Sequence, residues 1–362
     1  MNKSEFTKKI SKIRDLMRSQ GCGGILFRRQ CNFSWLTGGR GHIGFVGDIS
    51  CAQILVTGSS VFLLANEIEA PRLLEEEIPP GLGIELRSLP WYSDGLLGET
   101  AADITGTASG KLLADDKLEN EIRELRTSLE PEEIGRYREL GISSAQALEG
   151  VCMSIKGGET EFELAGRVSE SLWARGIDPI TLLVAADDRT LKFRHVVPTE
   201  NRLKRYAILS ICARKGGLIA SATRLVHLGQ PPKELLRKLE NTLQVEAALF
   251  TATRPGAVYS AIFQEAAAQY AKAGVPEEWK RHHQGGLSGY VAREIRVTPD
   301  SAGRVRENEV YAWNPTITGT KCEDTMLVLP AGNECITHTG GYCYISVEYK
   351  GSVLSRPGIF VI

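Results

Sequence analysis

Apolar residues recur at helical spacing near the start of the chain, where residues 4–20 carry one hydrophobic stripe between charged faces. The side chains on that stripe are Phe6, Ile10, Ile13 and Met17. This spacing predicts an amphipathic helix, and the glycines directly after it predict where the helix ends. Short β-type runs separated by glycine come next. We predict strands over residues 24–27, 52–56, 60–65 and 84–89, and helices over residues 67–77 and 117–127.

Longer helical patterns dominate the rest of the chain. Residues 125–133 contain a proline and are predicted to be a linker, and the acidic turn at its end predicts the start of a helix over residues 132–156. Further helices are predicted over residues 159–175, 232–252 and 257–273, and strands over residues 180–185 and 206–213. Long helices interleaved with antiparallel-type strands favour an α+β domain. The pattern therefore predicts an α/β domain over residues 1–126 and an α+β domain over residues 127–362.

Composition and charge limit the kind of partner. The chain has 362 residues, enough for two domains, with 42% hydrophobic and 24% charged residues. Its 43 basic side chains nearly balance its 44 acidic ones, which gives a formal net charge of -1 at pH 7. Such a chain has no electrostatic footprint for nucleic acid or for an anionic membrane. We expect a small molecule or a short peptide as the partner.

The cysteines and the N-terminal segment indicate the cell compartment. Eight cysteines occur without a C-x-x-C pair or zinc-ligand spacing, and several lie in apolar runs. We predict reduced core thiols, as in a cytoplasmic protein. The N-terminal segment is charged and amphipathic, and no apolar run reaches eighteen residues, so we expect neither export nor membrane insertion.

One stretch, residues 279–294, is unusually dense in polar and backbone-permissive residues. It holds two histidines, a glutamine, three glycines and a terminal Arg-Glu pair in sixteen positions. An ordinary core strand does not carry such a set. We therefore predict a binding site around this stretch and the segment 311–328 that follows it.

Six segments occur in an order that is typical of one enzyme family. They are LRTSLEPEEIGRYREL, KFRHVVPT, ILSICARKGGLIASATR, HHQGGLSGYVARE, ENEVYAWNPTI and GTKCEDTMLV. On this order the chain resembles the creatinase/aminopeptidase P/methionine aminopeptidase family, peptidase family M24, over nearly its whole length. The resemblance implies an α+β pita-bread fold for the C-terminal domain, preceded by an α/β creatinase-type N-terminal domain. It also implies a homodimer, because relatives in this family are usually dimers.

Hydrolases of this family hold two divalent metals with two aspartates, one histidine and two glutamates, and such a pair polarises a carbonyl and generates hydroxide. By the resemblance, the five ligand positions fall on Ser210, Ser221, Gly286, Asn314 and Glu323. Only the last is still a carboxylate, and neutral hydroxyls are poor substitutes for charged oxygen ligands. We therefore expect the two-metal mechanism to be lost and no metal or other cofactor to be needed. A single metal rebuilt from His282, His283 and Glu323 stays open as an alternative.

Two residues at family positions are candidates for catalysis. His195 matches the family's substrate-contacting histidine, which is the acid/base in creatinase, a metal-free member, and histidine exchanges protons near neutral pH. Glu323 stands close to Lys321 in the sequence, which favours its ionised form, and it could orient His195 or bind a cation. The structural alternatives are a loop histidine held by hydrogen bonds and an ion pair kept for packing.

Candidates for substrate binding lie near the same positions. The arginines Arg214, Arg224 and Arg293, with Arg194 and Lys215, are predicted to replace metal charge and grip an anionic group such as a carboxylate. The side chains predicted to wall the pocket are His282, His283 and Trp313. Ordinary ion pairs and core packing are the alternatives. The glycines at 285 and 286 lack side chains where the metal histidine would stand, and we expect the space to admit substrate.

The leading functional hypothesis is a metal-independent, creatinase-like hydrolase or lyase of a small carboxylate-bearing amide, amidine or peptide-like compound. A second hypothesis is a catalytically inactive pseudo-peptidase that binds a peptide or small ligand. A third, a conventional Xaa-Pro aminopeptidase or dipeptidase, requires a different alignment of the ligand positions. A serine hydrolase is not favoured, because neither Ser210 nor Ser221 lies in a G-x-S-x-G elbow.

Overall fold

The N-terminal helix begins and ends close to where the sequence predicts. In this computed structural model, which describes residues 1–45, 47–106 and 110–362, helix α1 spans Lys3–Gln20. The Asn2 side chain accepts a hydrogen bond from the Glu5 backbone N–H, and Gly21 ends the helix in the left-handed conformation. The apolar stripe of α1 is buried in the first of two units, Met1–Glu133 and Ile134–Ile362.

The first unit is built on a five-stranded mixed sheet in the order β4-β3-β2-β1-β5. The strands are β1 (Cys22–Arg29), β2 (Ile49–Thr57), β3 (Val61–Asn66), β4 (Ile84–Leu89) and β5 (Lys111–Ala114). The further helices are α2 (Gln30–Thr37), α3 (Glu69–Arg72, extended by a wide turn at Leu73–Glu77), α4 (Leu97–Thr105) and α5 (Glu119–Thr127). The four predicted strands are present. The sequence pattern missed α2 because nearly all of its residues are buried, which leaves no polar face to mark it as amphipathic.

The second unit has five helices and most of the strands. The helices are α6 (Pro131–Cys152), α7 (Glu161–Trp173), α8 (Arg189–Lys192), α9 (Lys233–Ala252) and α10 (Tyr259–Lys272). Helix α7 starts at a capping box, in which the Thr160 side chain and the Glu163 side chain each accept a hydrogen bond from the other residue's backbone N–H. The predicted linker over residues 125–133 is mostly helical, because α5 ends at Thr127 and α6 starts at Pro131, where proline suits the first helical turn.

The strands of the second unit form two larger sheets and two hairpins. They are β6 (Asp178–Ala186), β7 (Tyr206–Lys215), β8 (Leu218–His227), β9 (Gly285–Ser288), β10 (Ile295–Arg296), β11 (Val310–Trp313), β12 (Thr316–Ile317), β13 (Thr320–Lys321), β14 (Asp324–Leu329), β15 (Gly332–Cys335), β16 (Tyr344–Tyr349), β17 (Ser352–Pro357) and β18 (Ile359–Val361). One sheet has the order β18-β8-β7-β6 and the other β10-β9-β11-β14-β15. The hairpins are β12-β13 and β16-β17. This mixture of helices and largely antiparallel sheets is the predicted α+β architecture.

Hydrogen bonds join β8 to the start of β14 and so bring two distant segments together. The Thr223 backbone N–H donates to the Glu323 carbonyl at 2.9 Å, and the Ser221 N–H donates to Thr325 Oγ1 at 2.8 Å. Helices α9 and α10 cover the β9-β11-β14 sheet with a buried apolar core that includes Tyr270. Within the part of the chain that the structure describes, none of the helices combines the length and hydrophobicity needed to span a bilayer.

Candidate functional site

The antiparallel hairpin of β7 and β8 carries the two serines that the resemblance aligns with metal-binding aspartates. In its register Ser210 is opposite Thr223, and Ser221 is opposite Cys212. The hydroxyls of Ser210 and Thr223 share a hydrogen bond of 2.7 Å, and the Ser221 hydroxyl donates to Cys212 Sγ at 3.3 Å. Both serines are buried. The hairpin therefore presents neutral hydroxyls to the interior.

Glu323 lies directly before β14 and is only 3% exposed. Each of its carboxylate oxygens meets a cation: Oε1 accepts a hydrogen bond from Arg293 Nη2 at 2.7 Å, and Oε2 is 2.8 Å from Lys321 Nζ. Oε2 also accepts from the Thr223 hydroxyl at 2.9 Å. Burial by itself raises the pKa of Glu323, but the charges of Lys321 and Arg293 outweigh burial and lower the pKa to about 2. At neutral pH this side chain is ionised and fully bonded.

The same two cations reach the serines. Lys321 Nζ donates to Ser210 Oγ at 3.2 Å, and Arg293 Nη1 lies 3.4 Å from Ser221 Oγ. The side chains of Lys321 and Arg293 are 7% and 9% exposed, so both charges are largely removed from water. We call these four residues, together with Glu323, the charge cluster. Its single carboxylate and two cations leave an excess positive charge, which favours an anionic ligand.

Three histidines form a second group, which we call the histidine cluster: His195, His282 and His283. His195 lies in the loop after α8, and the other two precede β9. The Nε2 atoms of His195 and His282 are 3.3 Å apart, and one nitrogen from each ring lies within 4.8 Å of the other two. The rings of His282 and His283 are adjacent, with centroids 4.5 Å apart. Residues that are 87 positions apart in the sequence thus meet in one place.

The electrostatics of the histidine cluster link it to the charge cluster. Burial, and then the charge of Lys321, lower the pKa of His282 to about 2, and the same two causes lower the pKa of His195. Burial, and then the charge of Arg293, lower the pKa of His283 to about 4. The negative charge of Glu323 opposes these effects on all three rings. The three imidazoles are therefore predominantly neutral at pH 7, and both clusters belong to one site.

A small pocket opens on the side of the charge cluster. Ser210 and Lys321 contribute polar atoms to its wall, and Arg194 contributes a third. Phe193 and Val196, which flank His195 in its loop, supply apolar surface. The pocket thus joins a buried cation to the loop that carries the exposed histidine.

Gly285 and Gly286 do not leave the open space that the sequence suggested, so that expectation is wrong. At Gly286, φ is +145° and a Cβ atom would lie 2.2 Å from the Ile295 carbonyl oxygen. At Gly285, φ is +99° and a Cβ atom would lie 2.1 Å from the Ala312 carbonyl oxygen. Strands β10 and β11 pair closely on either side of β9, so their backbones fill the volume.

Arg224 was predicted to bind the substrate, but it is enclosed in the core. It is 0% exposed, and its guanidinium donates to Glu149 at 2.8 Å and to Asp324 at 3.0 Å. Asp324 in turn accepts from Arg356, which is paired with Glu246. These buried charges compensate one another, and we assign Arg224 to the framework of the second unit.

Two more predicted pocket residues and the aligned metal position Asn314 make their contacts outside the two clusters. Trp313 is 1% exposed and donates through its indole N–H to Thr253 Oγ1 at 3.0 Å, which makes it a core residue. Arg214 lies at the end of β7, where its Nε is 3.3 Å from Asp178 Oδ2. Asn314 is buried beside the histidine segment, with its N–H donating to the Gln284 carbonyl. Of the predicted arginines, Arg293 alone reaches Glu323 among the contacts described.

Sequence reasoning did not select Lys321 and Thr223 as site residues. Lys321 comes two positions before Glu323, and in extended chain such residues point to the same side, so a signal for their ion pair was present. No signal in the sequence indicated that Thr223 would contact Glu323. Its contact with Glu323 depends on the pairing of Ser210 with Thr223 and on the hydrogen bond between β8 and residue 323.

The fold and the site together define a two-unit α+β protein with a polar centre in its second unit. Residues 135–330, more than half of the chain, match Metallopeptidase family M24, and the chain belongs to this family. An uncharacterized peptidase of Staphylococcus aureus (strain MW2) is 24% identical over 227 residues, which are 60% of this chain. The match spans 64% of that relative's own length.

Solved structures confirm the fold class, with an M24 pita-bread architecture in two domains. The chain is similar to a prolidase from Pyrococcus horikoshii OT3, with a TM-score of 0.74 and 21% identity over 92% of this chain and 98% of that chain. It is also similar to an X-Pro aminopeptidase from Thermotoga maritima MSB8, with a TM-score of 0.77 and 17% identity over 98% of this chain and 99% of that chain. At this level of identity the likeness concerns the fold.

The residues at the family's metal positions do not fit a pair of divalent cations. Hard cations need several anionic oxygens, whereas the charge cluster offers two hydroxyls and one carboxylate. Both oxygens of that carboxylate, Glu323, are already bonded to Lys321 and Arg293. A metal at this position would also face two fixed positive charges at close range.

Proposed function

We propose that the chain is a hydrolase that works without the two-metal centre of its family, on a small amide or peptide-like substrate that carries a carboxylate. The observation that supports this best is the pair of buried cations, Lys321 and Arg293, which contact the hydroxyls at the former aspartate positions. Positive charge is what the metal pair supplies to the reaction in related hydrolases. In this chain two fixed side chains supply it.

His195 is the proposed acid/base of the reaction. It is exposed, and its lowered pKa keeps most of it neutral at pH 7, so that it can accept a proton from an attacking water molecule. Lys321 and Arg293 stabilise the negative charge that develops on the substrate oxygen, an effect that is strong where water is excluded. Glu323 is a positioning residue in this scheme, because its low pKa and complete bonding make it a poor base.

Family membership supports a peptide-like substrate. The similar folds of a prolidase and an X-Pro aminopeptidase place Xaa-Pro dipeptides in the first set of compounds to test. The excess positive charge of the site favours members of that set that carry a free carboxylate.

The test is a turnover screen with protein that has been treated with EDTA and dialysed. Dipeptides, N-acyl amino acids and small amides are incubated with the enzyme and followed by mass spectrometry. We expect turnover that persists in EDTA and falls about 100-fold or more in His195→Ala, the usual loss when a general acid/base is removed. His338→Ala is the matched control, because His338 contacts Ser355 and Tyr344. Turnover that requires added Mn²⁺ or Co²⁺ would contradict the proposal.

The bonding of Glu323 also favours a second candidate, a protein that binds a carboxylate ligand without converting it. A carboxylate with both oxygens engaged and two histidines with pKa values of about 2 and about 4 are weak bases. The same screen separates the two candidates when it is joined to calorimetry. Saturable binding of a compound that is recovered unchanged supports the binding protein and counts against the hydrolase.

A further inference from the structure

Beyond the proposed reaction, we propose that His195, His282 and His283 form a site for one transition-metal ion of the zinc type. The three residues are distinct from the family's metal positions, where the histidine ligand aligns with Gly286. Imidazole nitrogens suit Zn²⁺, Co²⁺, Ni²⁺ and Cu²⁺, whereas Mg²⁺, Ca²⁺ and Mn²⁺ prefer oxygen ligands. The chemical class of the ligand is therefore a borderline-soft divalent cation bound through nitrogen.

The spacing of the rings carries this inference. In a tetrahedral zinc site with Zn–N bonds of about 2.0–2.1 Å, two ligand nitrogens are about 3.3 Å apart. The Nε2 atoms of His195 and His282 are 3.3 Å apart, so one edge of such a tetrahedron is already formed. All three ligand nitrogens lie within 4.8 Å of one another. Bringing the most widely separated pair to the tetrahedral distance requires a movement of at most about 1.5 Å. His195 is exposed and lies in a loop, so it can make that adjustment.

An unpaired buried nitrogen of His283 gives independent support. His282 is 6% exposed, and its Nδ1 has no hydrogen-bond partner among the residues that the structure describes. The same holds for Nδ1 of His283. Buried polar atoms are normally bonded, so Nδ1 of His283 is available to a ligand. An imidazole binds one ion through one nitrogen, and His282 meets His195 through Nε2, so the unpaired Nδ1 of His282 is not the nitrogen that would hold the ion.

The charge cluster sets a limit on the metal. Lys321 and Arg293 repel a cation in the histidine cluster, although both are paired with Glu323. This repulsion selects against ions that bind mainly by electrostatic attraction and favours ions that bond strongly to imidazole. It also favours an anion as the fourth ligand, such as hydroxide, chloride or a carboxylate.

The inference does not depend on the proposed hydrolase function. A metal bound to His195 would occupy the lone pair that the proposed reaction uses for proton transfer. We therefore expect Zn²⁺ to inhibit turnover while it binds the histidine cluster. Binding and turnover are measured separately, so that each idea can fail without the other.

The test uses Co²⁺ as the probe, because tetrahedral Co²⁺ has intense visible absorption bands. The EDTA-treated full chain is titrated with Co²⁺, and the bands are then displaced with Zn²⁺. We expect one ion per chain with a tetrahedral spectrum. His195→Ala and His283→Asn should each weaken binding by more than the about 10–100-fold that loss of an outer-shell partner costs. His338→Ala should leave the titration unchanged.

Unaltered Co²⁺ spectra and stoichiometry in both His195→Ala and His283→Asn would overturn the site, as would an equal loss in His338→Ala. Circular dichroism of the variants shows whether they are folded, and His195→Ala is the safer one because His195 is exposed. Cobalt binding with inhibited turnover supports both ideas. Cobalt binding with activated turnover supports the histidine site and refutes metal-independent hydrolysis. If Co²⁺ does not bind and turnover persists in EDTA, the histidine site is refuted and metal-independent hydrolysis is supported.

Discussion

Replacing Glu323 by glutamine tests whether this carboxylate holds two buried cations together. The change keeps the shape of the side chain but removes the negative charge 2.8 Å from Lys321 Nζ and 2.7 Å from Arg293 Nη2. Both cations then lose their counter-ion in the charge cluster, and breaking a buried ion pair from one side costs about 3–5 kcal/mol. We expect Glu323→Gln to lower the free energy of unfolding of the second unit by about that amount at pH 7.

The pH dependence of this effect follows from the same contacts. The pKa of Glu323 is about 2 in the folded protein, against 4.5 for an ordinary glutamate. A lowered pKa stabilises the fold above about pH 4.5, and this stabilisation is lost as pH falls toward 2, because the unfolded chain takes up the proton first. At about 1.4 kcal/mol per pKa unit the shift corresponds to about 3 kcal/mol at neutral pH. Of this, about 2 kcal/mol disappears between pH 7 and pH 3.

Urea unfolding followed by tryptophan fluorescence measures the difference between the wild type and Glu323→Gln at both pH values. We expect the difference to shrink by about 2 kcal/mol from pH 7 to pH 3. Glu334→Gln is the control, because Glu334 is paired with Arg138 at the surface and should contribute less than about 1 kcal/mol. A difference between wild type and Glu323→Gln that stays constant with pH would refute the account of the charge cluster.

Three further predictions concern the framework and the reaction. Arg224→Met should destabilise the second unit by about 3–5 kcal/mol in urea unfolding, because the buried carboxylate of Glu149 loses its cation and Asp324 keeps only Arg356. The surface change Arg138→Met should cost less than about 1 kcal/mol. Gly286→Ala should destabilise the protein by roughly 2–6 kcal/mol in thermal unfolding, because the new Cβ would meet a backbone carbonyl oxygen at 2.2 Å. Gly98 has open space around it, so the control change Gly98→Ala should be neutral or stabilising. The value of kcat/KM should rise with pH as His195 loses its proton, with a midpoint below the ordinary histidine pKa of 6.5, and should be level above pH 7. A rise centred above pH 7 would contradict the role of His195.

Periodicity was sufficient for elements that have one buried and one exposed face. Helices α1, α7, α9 and α10 lie within a few residues of the predicted bounds, because each carries an apolar stripe that the sequence displays. Helix α2 has no such stripe, because its residues are buried on nearly all sides. The predicted space at Gly286 failed for another reason: two neighbouring strands approach the glycine from positions that its local sequence does not reveal.

By itself, the sequence determined the family and the residue types at its metal positions, since order of segments and residue identity need no coordinates. From that alone it followed that Glu323 is the single carboxylate among five ligand positions. The tertiary structure decided what this carboxylate does. Thr223 and Glu323 are one hundred positions apart and meet through strand contacts. The fold also brings the buried cations of Lys321 and Arg293 into contact with the two carboxylate oxygens of Glu323. Charge and pKa depend on distance and on exclusion of water, and the folded chain sets both.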